Sequence, residues 1–414
     1  MRGVAYDTRR GYLLKLDFLH AVSLGNAWFG RRQLTAAEIV SAYGAMVVSG
    51  AELAAFRPMV DLFCLPEACL ISDVIQHFVD SGISFHPGYV YQDVKSAVGY
   101  LHESGVLHNA ISAEPGRYIV ESPGVATLLS RLRASGRKTM LLTNSGFKFV
   151  NHGMNHITRN TMAPGEWKQL FDLICVGADK PSWYKEDRPF RSLNAASGKV
   201  RWVPVEALLP GHVYYGGSFA ELNRLVAGGM SGQDVLYLTS LSNPGARPGG
   251  DPWQDLSAPG AVGWRTGAVV AEVEREVAAQ AHPRYRAALA ALLDIERTVR
   301  LSGLDADALH AALRAGAAGD AATGVAGAGG GGPLLELRDE LKHMLNARFG
   351  SNFRTLTGPT LFAHNLLRFA DVYTARLENL LSLAPTHFLF PLRRALPHEP
   401  WGSTKEAEEN PFEK

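Results

Sequence analysis

The stretches KTMLLTNS (138–145) and FDLICVGADK (171–180) decide the fold of this 414-residue chain. Each is a short apolar run that ends abruptly in polar residues. Such runs predict buried strands of a parallel sheet, in which ligands bind beyond the carboxyl ends of the strands. We therefore expect the hydroxyl of Thr143 and the ammonium group of Lys180 to meet in one crevice. A hydroxyl, an amide and a lysine in such a place suit a phosphoryl oxyanion.

The composition is that of an ordinary globular protein, with 46% apolar residues and enough length for two or three domains. Lys and Arg number 41 and Asp and Glu number 40, so the net charge of +1 gives no field that would attract nucleic acid or a membrane surface. No apolar run is long enough to span a bilayer, and the three cysteines lack the spacing of a zinc site or a disulfide framework. We therefore expect a cytoplasmic protein that binds neither nucleic acid nor membranes.

The order of helical and strand patterns predicts an α/β fold with a parallel sheet. Thr35 and Glu38 are spaced as a capping box for a helix that begins at Ala36. The sequence Asn194 to Gly198 predicts the turn of a hairpin. Further helices are predicted at 66–78, 91–104, 125–132 and 218–226, and strands at 138–142, 171–176, 234–238 and 266–270.

The last 180 residues or so are less regular. Residues 239–260, rich in Gly, Pro and Ser, are predicted to form a loop. Residues 281–314 have helical spacing, 315–333 have the composition of a flexible connector, and 334–348 resume a helix. An apolar stripe predicts one further helix over 360–385. The stripe consists of Phe362, Leu366, Phe369, Tyr373, Leu377 and Leu380.

Six ordered stretches carry a family resemblance. They are LLTNS (141–145), ADKPSWY (178–184), YYGGS (214–218), GWRTGAVVAEVEREV (263–277), LNARFGSNFRT (345–355) and RFADVYTARLENLL (368–381). In this order they resemble the cytosolic purine 5'-nucleotidase family of the haloacid dehalogenase (HAD) superfamily, and most of all its 5'-nucleotidase-domain-containing branch. No single stretch is specific, but the set spans nearly the whole chain.

The resemblance implies an α/β architecture with a HAD-like, Rossmann-type parallel sheet, an inserted cap region and a helical C-terminal region. The implied divisions are a cap region with part of the core (1–110), the HAD-like core (111–280), a helical segment (281–314), a Gly/Ala linker (315–333) and a C-terminal helical region (334–400). It also implies that the central strand carries a D-x-D-x-T nucleophile motif, which we expect to precede Met1. Without that strand, its two neighbours would lose a ladder partner.

The resemblance also assigns roles to the polar residues at the two strand ends. Thr143 matches the second motif of the superfamily, whose hydroxyl donates to the transferring phosphoryl group. Asn144 and Ser145 follow as further polar contacts with the substrate. Lys180 matches the third motif, a lysine that balances the charge of the phosphate and the nucleophile. Two simpler alternatives stay open: the Thr-Asn-Ser segment can cap the next helix, and Lys180 can be a solvated surface residue.

The nucleophile and the metal site are the weak points of the match. Asp7 and Asp17 are the only aspartates near the start, and neither context fits the nucleophile motif. In the family, acidic residues after the strand that matches DVLYL (234–238) bind Mg²⁺. Here Thr239 and Ser240 follow that strand, so Asp251 and Asp255 are the candidate Mg²⁺ ligands, and ordinary loop carboxylates are the alternative.

The substrate assignment rests on the helix predicted at 91–104. Lys95 and His102 are seven residues apart, so they lie on one face, at positions that face the nucleotide in the family. A surface helix is the alternative. The resemblance thus predicts Mg²⁺-dependent hydrolysis of a nucleoside 5'-monophosphate, most naturally a purine one, by an enzyme that can form homo-oligomers. The other hypothesis is a catalytically inactive homologue that binds nucleotides or another protein.

Overall fold

The computed structural model describes residues 3–60, 64–226, 229–241, 253–291, 341–355, 358–387 and 389. The chain forms two compact units. Unit 1 consists of Met1–Val106, Leu241–Pro252 and Ala271–Leu366, and unit 2 consists of Leu107–Ser240, Trp253–Val270 and Leu367–Lys414. The predicted linker 315–333 lies outside the described residues.

The strands are, in chain order, β1 (Val4–Asp7), β2 (Tyr12–Leu16), β3 (Val22–Phe29), β4 (Arg32–Gln33), β5 (Phe56–Met59), β6 (Met140–Leu142), β7 (Leu173–Val176), β8 (Phe190–Leu193), β9 (Val200–Pro204), β10 (Val213–Gly216), β11 (Leu236–Thr239), β12 (Arg265–Val269) and β13 (Val372–Thr374). The α-helices in the described ranges include α1 (Ala36–Tyr43), α2 (Gly50–Leu53), α3 (Cys64–Asp80), α4 (Pro87–Glu103), α5 (Val106–Ala113), α6 (Pro115–Tyr118), α7 (Pro123–Ala134), α8 (Phe147–Thr158), α9 (Phe219–Leu225), α10 (Gln254–Ala261), α11 (Glu272–Ala281) and α12 (Leu361–Phe369). None of the helices in the described ranges combines the length and the hydropathy needed to cross a membrane.

Unit 1 is built on an antiparallel sheet of order β4-β3-β2-β1-β5. Alternate residues of β2 point to opposite faces, so Leu13 packs with Ile71 and Ile75 of α3, whereas Leu14 packs with Ile39 of α1. The predicted capping box is confirmed, because the side chain of Thr35 accepts from the N–H of Glu38 and the Glu38 carboxylate accepts from the N–H of Thr35. Both faces of the sheet are therefore covered by helices.

The first sheet of unit 2 has the order β6-β7-β10-β8-β9. β6, β7 and β10 are parallel, and β8 and β9 form the predicted antiparallel hairpin at the far side. β6 and β7 begin two residues later than the apolar runs at 138–142 and 171–176. All four residues of β7 are buried, as expected for a strand with a neighbour on each side. These features confirm the predicted α/β class.

The second sheet of unit 2, of order β11-β12-β13, is parallel throughout and corrects two predictions. The helix predicted over 360–385 ends at Phe369, and Tyr373 lies on β13, because the β-branched residues around it pair with β12. The loop predicted over 239–260 contains the helix α10. Trp253, Leu256 and Ala258 are buried there, so apolar packing outweighs the Gly- and Pro-rich composition.

Candidate functional site

The loops that follow β6 and β7 are bonded to each other in unit 2. The main-chain N–H of Lys180 donates to Asn144 Oδ1 at 2.7 Å, and Asn144 Nδ2 donates to the Lys180 carbonyl at 3.1 Å. The N–H of Ala178 donates to the Thr143 carbonyl and that of Gly177 to the Ser145 carbonyl, each at 3.0 Å. The structure thus brings the segments 143–145 and 177–180 side by side.

Thr143 is half-buried, and its hydroxyl accepts a hydrogen bond from the N–H of Ser145 at 3.1 Å. The residue that caps α8 is Gly146, without a side-chain cap bond, so the segment does not act as a helix cap. The Thr143 hydroxyl proton is not used in the Ser145 contact, because the oxygen is the acceptor there. Thr143 can therefore donate to an anion at this edge of the sheet.

Lys180 is half-buried, and its side chain turns toward β11. Its Nζ donates to the hydroxyl of Tyr237 at 2.6 Å and lies 5.3 Å from the centre of the Tyr237 ring. Burial acts to lower the pKa of Lys180, but the Tyr237 phenol and the Asp255 carboxylate outweigh it, so the pKa lies above its ordinary value. Lys180 is therefore a positively charged side chain fixed by its hydrogen bond to Tyr237, and not a solvated surface lysine.

An aromatic cluster lies beside the Lys180 side chain, which contacts its member Tyr237. The rings of Tyr184, Tyr237 and Trp264 lie 5.7 to 6.3 Å apart, centre to centre. Burial, together with the Tyr237 phenol, raises the pKa of Tyr184 far above its usual value. The sequence predicts Tyr237 only as part of the strand at 234–238. A tyrosine among aliphatic residues is the one local signal that could indicate a polar contact there.

Asp255 belongs to unit 2 and stands in the first turn of α10, with 6% of its surface exposed. Its carboxylate raises the pKa of both Lys180 and Tyr184, so it acts on the same cluster. Asp251 lies outside the described residues. In the described ranges no three His, Cys, Asp or Glu side chains gather as metal ligands. One carboxylate beside a lysine does not make a Mg²⁺ site by itself.

Lys95 and His102 lie on α4 of unit 1, two turns apart. Lys95 Nζ bonds Glu67 Oε1 at 2.8 Å. Burial acts to lower the pKa of Lys95, but the bond to Glu67 raises it, and the net shift is upward. Much of the Lys95 charge is thus already balanced within unit 1, where the buried Glu67 holds it in place.

The aspartates near the start of the chain have structural partners. Asp7 is buried and accepts from the Tyr43 hydroxyl at 2.7 Å and from Arg10 Nη1 at 3.2 Å. Asp17 is also buried and accepts from the N–H groups of Leu19 and Ala21. Both carboxylates stabilise turns of unit 1.

Comparisons with known proteins place this chain among the 5' nucleotidases. The model of the 5' nucleotidase family matches residues 1–401. A 5'-nucleotidase domain-containing protein of Dictyostelium discoideum is 35% identical over 407 residues, which are 96% of this chain and 64% of that protein. The human and rat proteins named 5'-nucleotidase domain-containing protein 2 are each 32% identical over 96% of this chain, which covers 73% and 68% of their lengths. The chain thus spans about two thirds of each of these relatives.

Proposed function

The chain belongs to the 5' nucleotidase family, and on that premise we propose that it binds nucleoside 5'-monophosphates and takes part in the hydrolysis of their phosphate ester. The observation that carries the proposal is the pair of bonded loops that present Thr143 and Lys180 at the ends of neighbouring parallel strands. Phosphoryl transfer needs donors and cations at the oxygens where charge gathers. Thr143 supplies a donor and Lys180 a cation.

The roles of these residues follow from their surroundings. Lys180 stays protonated because the Tyr237 phenol and Asp255 raise its pKa, so it can balance a phosphate dianion. The Thr143 hydroxyl, which accepts from the Ser145 N–H, directs its own proton to a phosphoryl oxygen. The aromatic cluster keeps water from the Lys180 side chain, which strengthens its attraction for an anion. In the family, an aspartate of the D-x-D-x-T motif attacks the phosphorus. In that arrangement, Thr143 and Lys180 form the part of the site that binds the phosphate and balances its negative charge.

Phosphate release tests the proposal directly. The full chain is assayed with purine and pyrimidine nucleoside 5'-monophosphates, each with and without Mg²⁺. Thr143→Val and Lys180→Met should lower any measured kcat by at least about 100-fold, the usual cost of losing one transition-state donor. Lys185→Met is the matched control, because Lys185 is an exposed lysine five residues further on. Equal activity of the Lys180 and Lys185 variants would disprove the assignment.

A second candidate function is nucleotide binding without hydrolysis. It is favoured by the single buried carboxylate, Asp255, that the described residues place near Lys180. Calorimetric titration with AMP and GMP separates the two functions. If Lys180→Met weakens binding while the unaltered chain releases no phosphate with any nucleotide in Mg²⁺, the binding function is the correct one.

A further inference from the structure

The hairpin of β8 and β9 in unit 2 carries an excess of positive charge. Residues 190–204 contain no Asp or Glu, and their three cations are Arg191, Lys199 and Arg201. All three side chains are exposed, and none of them forms an ion pair among the described residues. Arg188, just before the hairpin, differs because it is paired with Asp179 and Glu186. The net charge of +1 over the whole chain therefore conceals a local positive surface.

Trp202 on β9 is unusual among the tryptophans of the part of the chain that the structure describes. It is 84% exposed, whereas the four buried tryptophans are each at most 5% exposed. The guanidinium carbon of Arg191 lies 4.7 Å from the centre of the Trp202 ring, so the arginine covers one face of the indole. The high exposure leaves the other face open to a planar ligand.

A second exposed ring lies two strands away on the same face of the sheet. Tyr215 of β10 is directly opposite Arg191 of β8, and the side chains of such a pair lie on one face. Tyr215 is 41% exposed, and its ring packs over Gly177. Only β8 separates β10 from β9, so the rings of Tyr215 and Trp202 are about 10 Å apart across the strands. Arg191 lies between them, and we call these three residues the stacking row.

The stacking row alternates rings and charge in a way that suits a chain of bases and phosphates. Bases of single-stranded nucleic acid stack on exposed aromatic rings, and cations bind the phosphates that join the bases. Bases on Tyr215 and Trp202 would place the phosphate between them near Arg191. Lys199 and Arg201 would attract the phosphates that follow. A duplex does not fit in this way, because its bases are already stacked on each other.

The charge of the hairpin also decides between different occupants. A second copy that paired its own β9 with this edge strand would bring the cations of two hairpins together, and like charges at a strand pair are destabilising. A membrane surface is a poorer match, because β9 offers only Trp202 and Val203 between a charged residue and a proline. A polyanion with planar groups matches both the cations and the rings.

We propose that the β8–β9 hairpin is a binding site for single-stranded nucleic acid, with one base on Tyr215, one on Trp202 and the phosphate between them on Arg191. The site differs from what net charge alone predicts, because three unpaired cations are concentrated in one hairpin. The proposal does not depend on the proposed function, since Thr143 and Lys180 take no part in it.

Fluorescence anisotropy on the full chain tests the proposal. The probes are a thymidine dodecamer and a uridine dodecamer, each with a 5'-hydroxyl and a 3'-fluorophore, so neither offers a terminal phosphate to Lys180. An abasic deoxyribose dodecamer carries the same phosphates without bases, and a duplex of the same length carries bases that are not free to stack on a protein ring. The single-stranded probes should bind at least about tenfold more tightly than the abasic and duplex probes.

Matched variants separate stacking from charge. Trp202→Ala should weaken binding of the thymidine probe by about tenfold but leave binding of the abasic probe unchanged, because only bases stack. Arg191→Gln should weaken both and lower the slope of log Kd against log salt by about 0.7, the contribution of one phosphate contact on a single strand. Tyr118→Ala is the control and should bind normally, because Tyr118 is also an exposed ring beside an arginine, but that arginine, Arg117, is paired with Glu114. All the substituted side chains are exposed, so each variant should keep the melting temperature of the unaltered chain.

Four outcomes would overturn the proposal. Trp202→Ala and Tyr118→Ala could bind the thymidine probe equally well, or the duplex could bind as tightly as the single strands. Vesicles of phosphatidylserine and phosphatidylcholine could bind through Trp202 while neither oligonucleotide binds, which would identify a membrane surface as the partner. Light scattering could show a dimer that Trp202→Ala dissociates, which would identify a second copy. Tighter binding of either single strand, lost in Trp202→Ala and weakened by Arg191→Gln, supports the proposal.

Discussion

Asn144 offers a sharp test of how the candidate site is held together. Its side chain accepts from the Lys180 N–H at 2.7 Å and donates to the Lys180 carbonyl at 3.1 Å. A hydrogen bond of this kind contributes about 0.5–1.5 kcal/mol to stability, and water replaces part of it at an exposed residue. Asn144→Ala should therefore lower the free energy of unfolding by about 1–2 kcal/mol. Asn144→Asp keeps the acceptor but loses the donor, so it should cost about half as much.

The same variants should affect nucleotide binding more than their stability suggests. Without Asn144, the loop that carries Lys180 is no longer fixed to the loop that carries Thr143, so the charged hydrogen bond from Lys180 to the phosphate is weakened by about 1.4 kcal/mol and the affinity for AMP should fall by about tenfold. Asn194→Ala is the matched control, because Asn194 Oδ1 accepts two main-chain bonds, both at 3.0 Å, in the hairpin turn between β8 and β9. Urea denaturation gives the stabilities, and titration with AMP gives the affinities.

The comparison of these variants decides whether the reasoning holds. Asn144→Ala and Asn194→Ala should lose similar stability, but only Asn144→Ala should lose affinity for AMP. If both variants bind AMP as well as the unaltered chain does, the bonded loops do not position Lys180. If both lose affinity equally, the effect is general destabilisation. Either result would refute the claim that the Asn144 bonds to Lys180 build the site.

Two further predictions concern the stability of each unit. Burial, with Lys342 nearby, lowers the pKa of Lys15 to about 7 against the opposing effect of Glu276. Above pH 7 the unfolded chain therefore binds more protons than the folded chain does. The free energy of unfolding should rise by about 2 kcal/mol from pH 7 to pH 9. Urea denaturation at each pH should show this rise, and Lys15→Met should flatten it. Gly177 has φ +55°, and a Cβ there would lie 2.3 Å from the ring of Tyr215. Gly177→Ala should therefore lower the free energy of unfolding by about 2 kcal/mol or more, and the melting temperature should fall with it. Gly99→Ala, where no atom lies within 4 Å of the added Cβ, should keep or raise it. A melting temperature of Gly177→Ala equal to that of Gly99→Ala would contradict the strain argument.

Local patterns in the sequence predicted local structure well. The capping box at Thr35 and the hairpin turn at Asn194 depend on residues that are close in sequence, and both are present. Apolar runs with polar ends predict the strands β6 and β7, and both strands are present. The approach of the two strand-end loops also followed, because a parallel sheet brings carboxyl ends together at one edge.

Contacts between distant segments account for what the sequence did not reveal. Tyr373 continues a helical stripe, but it lies on β13 because β12, about 105 residues earlier, offers a parallel partner. Helix α10 forms in a Gly- and Pro-rich stretch because Leu256 is fully buried. The bond between Lys180 and Tyr237 joins residues that are 57 positions apart. A periodic pattern within one segment cannot predict a partner that lies in a distant segment of the chain.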